Sequence, residues 1–130
     1  MRRRRFLVVA GSALALVGIP TTALAFRNRT RTSLLASPGL VHVLGDEEEV
    51  RRIGNAYRRA VPDEDDSHVL ERELLRSAGL AAFLPDRSLE RGLERRVVRD
   101  FERGETIEVD GWILSRTEAR RSALLSLERR

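Results

Sequence analysis

Glycine and proline residues divide the chain beyond residue 36 into short segments, and their spacing is the strongest constraint on the fold. Gly45, Pro62, Gly79 and Gly104 each follow a stretch in which apolar residues recur every three or four positions. Glycine readily ends a helix in the left-handed conformation, and proline cannot continue one. Apolar residues at this period predict an amphipathic helix with one buried face. The pattern therefore predicts four short helices before residue 105.

Capping residues mark where these helices begin. Ser37 followed by Pro38 is suited to open the first helix, because serine is a frequent N-cap and proline fits the first helical turn. Asp46 and Glu49 have the spacing of a capping box at the second helix. The acidic run before Val69 complements the positive end of the third helix dipole.

The apolar spacing also predicts which side chains are buried. In the second helix these are Val50, Ile53, Tyr57 and Val61, in the third Val69 or Leu70 with Leu74, Leu75 and Ala78, and in the fourth Leu89, Leu93, Val97 and Phe101. Gly92 weakens the fourth helix by about 1 kcal/mol relative to alanine.

The last quarter of the chain has a different pattern. Apolar residues flank Asp110 and Gly111, and this dipeptide between apolar strands is a strong β-hairpin signal because both residues tolerate positive φ. Ser115 and Glu118 then form a capping box that opens a final helix. The predicted fold class is mainly α: residues 37–130 form a single small domain of four to five short helices with one β-hairpin before the C-terminal helix.

The N-terminus has the three-part layout of a bacterial export signal. Four arginines, Arg2–Arg5, precede the uncharged run Phe6–Ile19, and small residues follow at Ala23 and Ala25. Small side chains at these two positions suit a signal peptidase, with cleavage after Ala25. We therefore expect residues 1–25 to be an export signal peptide and residues 26–36 to be a linker.

Four residues in this region resemble the twin-arginine (Tat) signal, namely Arg3, Arg4, Phe6 and Leu7. The moderate hydrophobicity of the following run, which glycines dilute, also suits the Tat route. The resemblance implies recognition by the Tat translocase and a periplasmic or extracytoplasmic location, with the general secretory (Sec) translocase as the alternative. A second alternative is a retained inner-membrane anchor, since Phe6–Phe26 is 21 residues without a charge, about the length of a bilayer span.

The charge balance argues against a nucleic-acid-binding protein. All 24 basic residues are arginine, and the four in Arg2–Arg5 leave 20 to balance 20 acidic residues in the rest of the chain. Binding to a phosphate backbone needs an excess of clustered cations. We expect no nucleic-acid partner, and membrane contact only through the N-terminal segment if it is uncleaved.

The chain has no cysteine and two histidines, which restricts its chemistry. Disulfides, thiolate metal sites, iron–sulfur clusters and covalently attached haem are excluded. His42 and His68 are too few for a three-histidine zinc site. We expect no cofactor, no bound metal and no catalytic residues.

Carboxylates give the only candidate for enzyme chemistry. The acidic run at residues 63–66, with His68, would suit a divalent cation, but it lacks the ligand spacing of an EF-hand and reads more simply as a helix cap. Pairs such as Asp100 with Glu102 lie on faces that the pattern predicts to be solvated. A small metal-dependent or hydrolytic enzyme therefore stands as the alternative function.

The stretch VDGWILSRTEAR, Val109 to Arg120, resembles a C-terminal motif of small exported bacterial proteins of unassigned function, and the resemblance implies no activity. Trp112 has two interpretations. It either fills the core beneath the hairpin, which is the favoured interpretation, or is an exposed anchor for a protein partner, with Arg116 and Arg120 as a polar rim.

We therefore expect a non-enzymatic protein–protein interaction module of the bacterial envelope. Small accessory subunits of periplasmic oxidoreductases resemble this chain in size and in carrying the export signal for a larger partner. That resemblance implies a more specific function, in which the chain is the signal-bearing accessory subunit of such an enzyme.

Overall fold

The computed structural model describes residues 31–36 and 39–128, which are mostly helical with one antiparallel hairpin before the last helix. The α-helices are α1 (Leu40–Leu44), α2 (Glu47–Ala60), α3 (Ser67–Ala78), α4 (Asp86–Arg103) and α5 (Arg116–Leu127). Strands β1 (Thr106–Val109) and β2 (Trp112–Ser115) precede α5, and 3₁₀ turns lie at Pro62–Glu64 and Gly79–Phe83. The predicted fold class is therefore confirmed.

The helices begin and end close to the residues that the sequence predicted as their boundaries. Gly45 and Gly104 end α1 and α4 in the left-handed conformation, and Asp46 caps α2 by accepting a hydrogen bond from the Glu48 amide. The predicted capping box at α2 does not form, because the Glu49 carboxylate binds Arg52 instead. The predicted start at Ser37 and Pro38 lies outside the described residues.

The hairpin matches its prediction in both turn and register. Asp110 and Gly111 have φ of 52° and 81°, the positive values that a tight two-residue turn requires. Val109 pairs with Trp112 and Ile107 with Leu114. The Ser115 hydroxyl then accepts from the Glu118 amide while the Glu118 carboxylate accepts from the Ser115 amide, so the predicted capping box opens α5.

Helix α5 lies at the centre of the domain and packs against α2, α3 and α4. Nearly its whole circumference is buried, including the polar residues Thr117, Arg121 and Ser122. Its closest neighbour is α2, because Gly54 has no side chain and the backbone of Ser122 occupies that space. The core therefore surrounds a helix whose sequence contains several polar residues.

Two residues of α4 differ from the prediction in their burial. Phe101 is 48% exposed, whereas Asp100 is fully buried on the core side of α4. At about 100° per residue, position 100 lies roughly 20° from the direction of Leu89, and position 101 lies roughly 120° away. The four-residue spacing that links Leu89 to Phe101 drifts around the helix over three turns, so the prediction of a buried Phe101 was wrong.

Part of the predicted linker, 26–36, belongs to the domain. Residues 31–36 are helical, and Leu35 and Ala36 are buried in the core. The Arg121 guanidinium donates to the carbonyl oxygens of Leu34 and Leu35, at 3.1 and 3.0 Å. These contacts come from the far end of the chain, so the local composition of the segment did not predict them.

Candidate interaction surfaces

A buried polar cluster connects α2, the Pro62–Glu64 turn and α5. The Tyr57 hydroxyl donates to Glu64 Oε2 at 2.6 Å, and Arg120 donates to both Glu64 oxygens at 2.9 and 2.8 Å. The hydrogen bonds from Arg120 lower the pKa of Glu64. Burial, reinforced by the hydrogen bond to Glu64, raises the pKa of Tyr57. The cluster is thus a neutral tyrosine held by an ionised glutamate–arginine pair.

This cluster accounts for two of the three residues predicted at a partner-binding surface. Arg120 is mostly buried and its guanidinium is engaged by Glu64 in two-point contact. Arg116 also approaches the cluster, where its hydrogen bond to Tyr57 partly offsets the rise in the pKa of that residue. Both arginines therefore contact the interior of the domain, and neither is placed as the outer rim of a tryptophan-centred surface.

The third residue, Trp112, lies at the start of β2, about 10 Å along the strand from Ser115, the N-cap of α5. Its side chain is 38% exposed, so it is neither a full core residue nor a free surface group. It shares a hairpin face with Leu114 and Val109, which are buried. Ile113, on the opposite face, is 67% exposed, and its apolar character alone did not predict this exposure.

Asp100 is buried, although the sequence pattern predicted that it lies on a solvated face. Its carboxylate accepts from the Thr117 amide at 2.9 Å, the Thr117 hydroxyl at 2.7 Å and Arg96 Nε at 2.7 Å. It therefore satisfies an amide at the N-terminus of α5, a position where a negative charge is favoured. Asp100 therefore caps the N-terminus of α5 from the neighbouring helix α4.

The acidic run has structural partners too. Asp66 caps α3 by accepting from the amides of His68 and Val69, Asp65 pairs with Arg58, and Glu64 belongs to the tyrosine cluster. Among residues 31–36 and 39–128, no group of three or more His, Asp or Glu side chains has the arrangement of a metal site. These contacts give the alternative of a metal-dependent or hydrolytic enzyme no support.

A second exposed apolar surface lies at the turn between α3 and α4. Leu80 and Phe83 are 85% and 87% exposed, and Leu84 is half exposed; we call these three residues the apolar turn. Ala81, between them, is buried against Gly92, where an added Cβ would lie 2.5 Å from that of Ala81. Gly92 thus allows the turn to sit directly on α4, which is a packing role that its helix propensity alone did not indicate.

The described part of the domain has two open grooves that concern the candidate surfaces. One, of about 230 Å³, is lined by Gly39, Leu40, Val43, Glu90, Glu94, Val97, Glu118 and Arg121. Three of the charged residues that line this groove have partners within the domain: Arg121 pairs with Glu90 at 2.9 Å, and Glu118 caps α5. The other, of about 440 Å³, adjoins the apolar turn and is lined by Arg31, Leu75, Arg76, Gly79, Ala82 and Phe83.

The predicted export-signal residues Arg3, Arg4, Phe6, Leu7, Ala23 and Ala25 lie outside the described residues. Within 31–36 and 39–128, none of the helices combines the length and apolar character that a bilayer crossing requires. A comparison with known protein families, curated protein sequences and solved structures finds no match to this chain.

Proposed function

We propose that the chain is an exported, non-enzymatic domain of the bacterial envelope that binds another protein through its hairpin. The observation that carries the proposal is the exposure of Trp112 and Ile113 at the end of a hairpin with a fixed conformation. Single exposed apolar residues are common on protein surfaces. Two adjacent ones on a short rigid strand are a more specific feature, because they present apolar area without an ordering cost on binding.

Several contacts support the rigidity of this hairpin. Val109 and Leu114 anchor its inner face in the core, and Arg52 of α2 pairs with Asp110 in the turn at 3.3 Å. Because Trp112 and Ile113 are neighbours on a strand, their side chains point to opposite faces. A partner that contacts both must therefore enclose the end of the hairpin, so we expect a cleft on the partner and not a flat surface.

The test is site-specific photo-crosslinking in the native host. A photoreactive amino acid at position 113 should give a heteromeric adduct in the envelope fraction. The same amino acid at position 43 is the matched control, because Val43 is also a highly exposed aliphatic residue but lies on α1. Adducts of equal yield at both positions, or none at position 113, would contradict a hairpin interface.

Substitutions separate binding from folding. Ile113→Asp should abolish capture of the cross-linked partner while leaving the melting temperature close to that of the wild type, because Ile113 contributes little to the core. Val43→Asp should affect neither. Trp112→Ala should weaken capture with a modest loss of stability, and a variant that unfolds outright would assign the tryptophan to the core.

The proposal extends to export of a partner by this chain's own signal. On this hypothesis the chain is an accessory subunit of a periplasmic oxidoreductase, and Arg3 and Arg4 direct both proteins to the Tat translocase. Changing Arg3 and Arg4 to lysine should leave the partner in the cytoplasm. Changing Arg2 and Arg5 to lysine keeps the same charge and the arginine pair, and should not. Normal partner export in the first variant would exclude this function.

A further inference from the structure

The apolar turn and the N-terminal end of the domain lie at the same place in the structure. The Arg31 guanidinium donates to the carbonyl oxygen of Ala82 at 2.9 Å and to that of Leu84 at 3.3 Å. Arg31 also lines the groove beside Phe83. The chain therefore enters the domain directly beside Leu80, Phe83 and Leu84, the most exposed cluster of large apolar side chains among the described residues.

An uncharged, mostly apolar stretch lies a few residues before this point in the chain. Phe6–Phe26 has 21 residues without a charge and ends five residues before Arg31. Five residues span at most about 18 Å even when fully extended. Any membrane that holds the apolar segment is thus within a short distance of the apolar turn.

Two arginines lie next to the apolar turn, since Arg31 and Arg76 both line the groove beside Phe83. In the chain, Arg27, Arg29 and Arg31 lie close together with no acidic residue among them. On α3, Arg72 and Arg76 are both largely exposed and share a single carboxylate, that of Glu73, at 3.9 and 3.5 Å. Apolar side chains next to arginines are suited to the boundary of an anionic bilayer, where the apolar groups enter the acyl region and the guanidinium groups stay at the phosphates.

We propose that the apolar turn is a membrane-contact surface, on which Leu80, Phe83 and Leu84 insert into an anionic lipid bilayer. The contact fixes the orientation of the domain on the membrane. The contact would lose the apolar segment on cleavage after Ala25 but would keep Arg27, Arg29 and Arg31 in the chain. It also uses a surface different from the hairpin, so either proposal can fail without the other.

The lack of cysteine permits a direct test with the full chain. Leu80→Cys, labelled with an environment-sensitive nitrobenzoxadiazole dye, would be reconstituted into vesicles of equal parts phosphatidylglycerol and phosphatidylcholine that contain a nitroxide lipid. The matched controls are Val43→Cys and Ile113→Cys, which label other exposed aliphatic positions. Each labelled variant would first be checked for wild-type circular dichroism, so that only folded protein is compared.

The expected result is a blue-shifted emission at position 80 with loss of fluorescence to the nitroxide lipid, while positions 43 and 113 keep the emission of a dye in water. Vesicles of phosphatidylcholine alone should reduce the effect at position 80. Equal emission and equal quenching at all three positions would overturn the proposal. A blue shift at position 80 without lipid quenching would also overturn it, since a second copy or another part of the chain would then cover the turn.

Discussion

The contact between α2 and α5 gives the sharpest prediction, through the substitution Gly54→Ala. A Cβ at position 54 would lie 2.0 Å from the carbonyl oxygen of Ser122, 2.5 Å from its carbonyl carbon and 2.8 Å from the amide nitrogen of Ala123. All three atoms are backbone atoms of α5, so no side-chain rotation can relieve the overlap. The two helices must separate.

The size of the effect follows from that separation. Ordinary contact begins near 3.4 Å, so the helices must move apart by about 1.4 Å, and a gap of even 0.5 to 1 Å loses a quarter to a half of the dispersion attraction. The buried residues that α2 contributes to the core, among them Ile53 and Tyr57, would lose part of their packing. Alanine regains about 1 kcal/mol of helix propensity. We expect a net loss of about 3 kcal/mol or more in the free energy of unfolding.

The assay is urea unfolding followed by circular dichroism, with the melting temperature as a second measure. A loss of this size lowers the melting temperature by roughly 15 °C in a domain of this length. Gly39→Ala is the matched control, because Gly39 has helical φ and ψ and no atom within 4 Å of its added Cβ, so the change should stay within about 1 kcal/mol. Equal stability of Gly54→Ala and wild type would refute the close approach of α2 and α5.

Three further predictions address the polar contacts. Asp100→Ala should destabilise the domain by about 3 kcal/mol, because it leaves the Thr117 amide unpaired in the core. The control Glu102→Ala should change the free energy of unfolding by less than about 0.5 kcal/mol. Urea unfolding of both variants tests this difference. Because the folded-state pKa of Glu64 lies below its ordinary value of 4.5, its contribution is present above that pH and is lost as the pH falls through the folded-state pKa. The stability difference between wild type and Glu64→Gln, measured by denaturant titrations from pH 7 downward, should therefore shrink in acid, and a constant difference would contradict the pairing. Arg121→Met should increase amide hydrogen exchange in residues 34–36 relative to α2, since it removes the donors to the carbonyls of that segment, and unchanged exchange would show that the segment is held by apolar packing alone.

The features that the sequence predicted are those in which the deciding interactions are local. The turn at Asp110 and Gly111 needs positive φ at two adjacent residues, and the cap at Ser115 needs a partner three residues away. Gly45 and Gly104 likewise act on the helix that directly precedes them. Such short-range requirements are visible in the order of residues alone.

The features that the sequence did not predict depend on partners far along the chain. Asp100 and Arg121 are buried because Thr117 and residues 34–35, respectively, provide their hydrogen bonds. A charged residue has no local property that distinguishes such burial from exposure on a solvated face. The pairing of Arg120 with Glu64 was not predicted for the same reason, since the two residues are 56 positions apart. The apolar turn was missed because exposure of leucine and phenylalanine contradicts the usual preference of these residues.

The central position of α5 has a consequence for the order of events during synthesis. The described elements that surround α5 all precede it in the chain, so they are made before the helix that they enclose. Until α5 emerges, the parts of α2, α3 and α4 that pack against it are uncovered, and exposed apolar surface of this kind attracts chaperones and proteases. A chain that stops before α5 therefore lacks the central part of the core, and the complete domain can form only after α5 has been made.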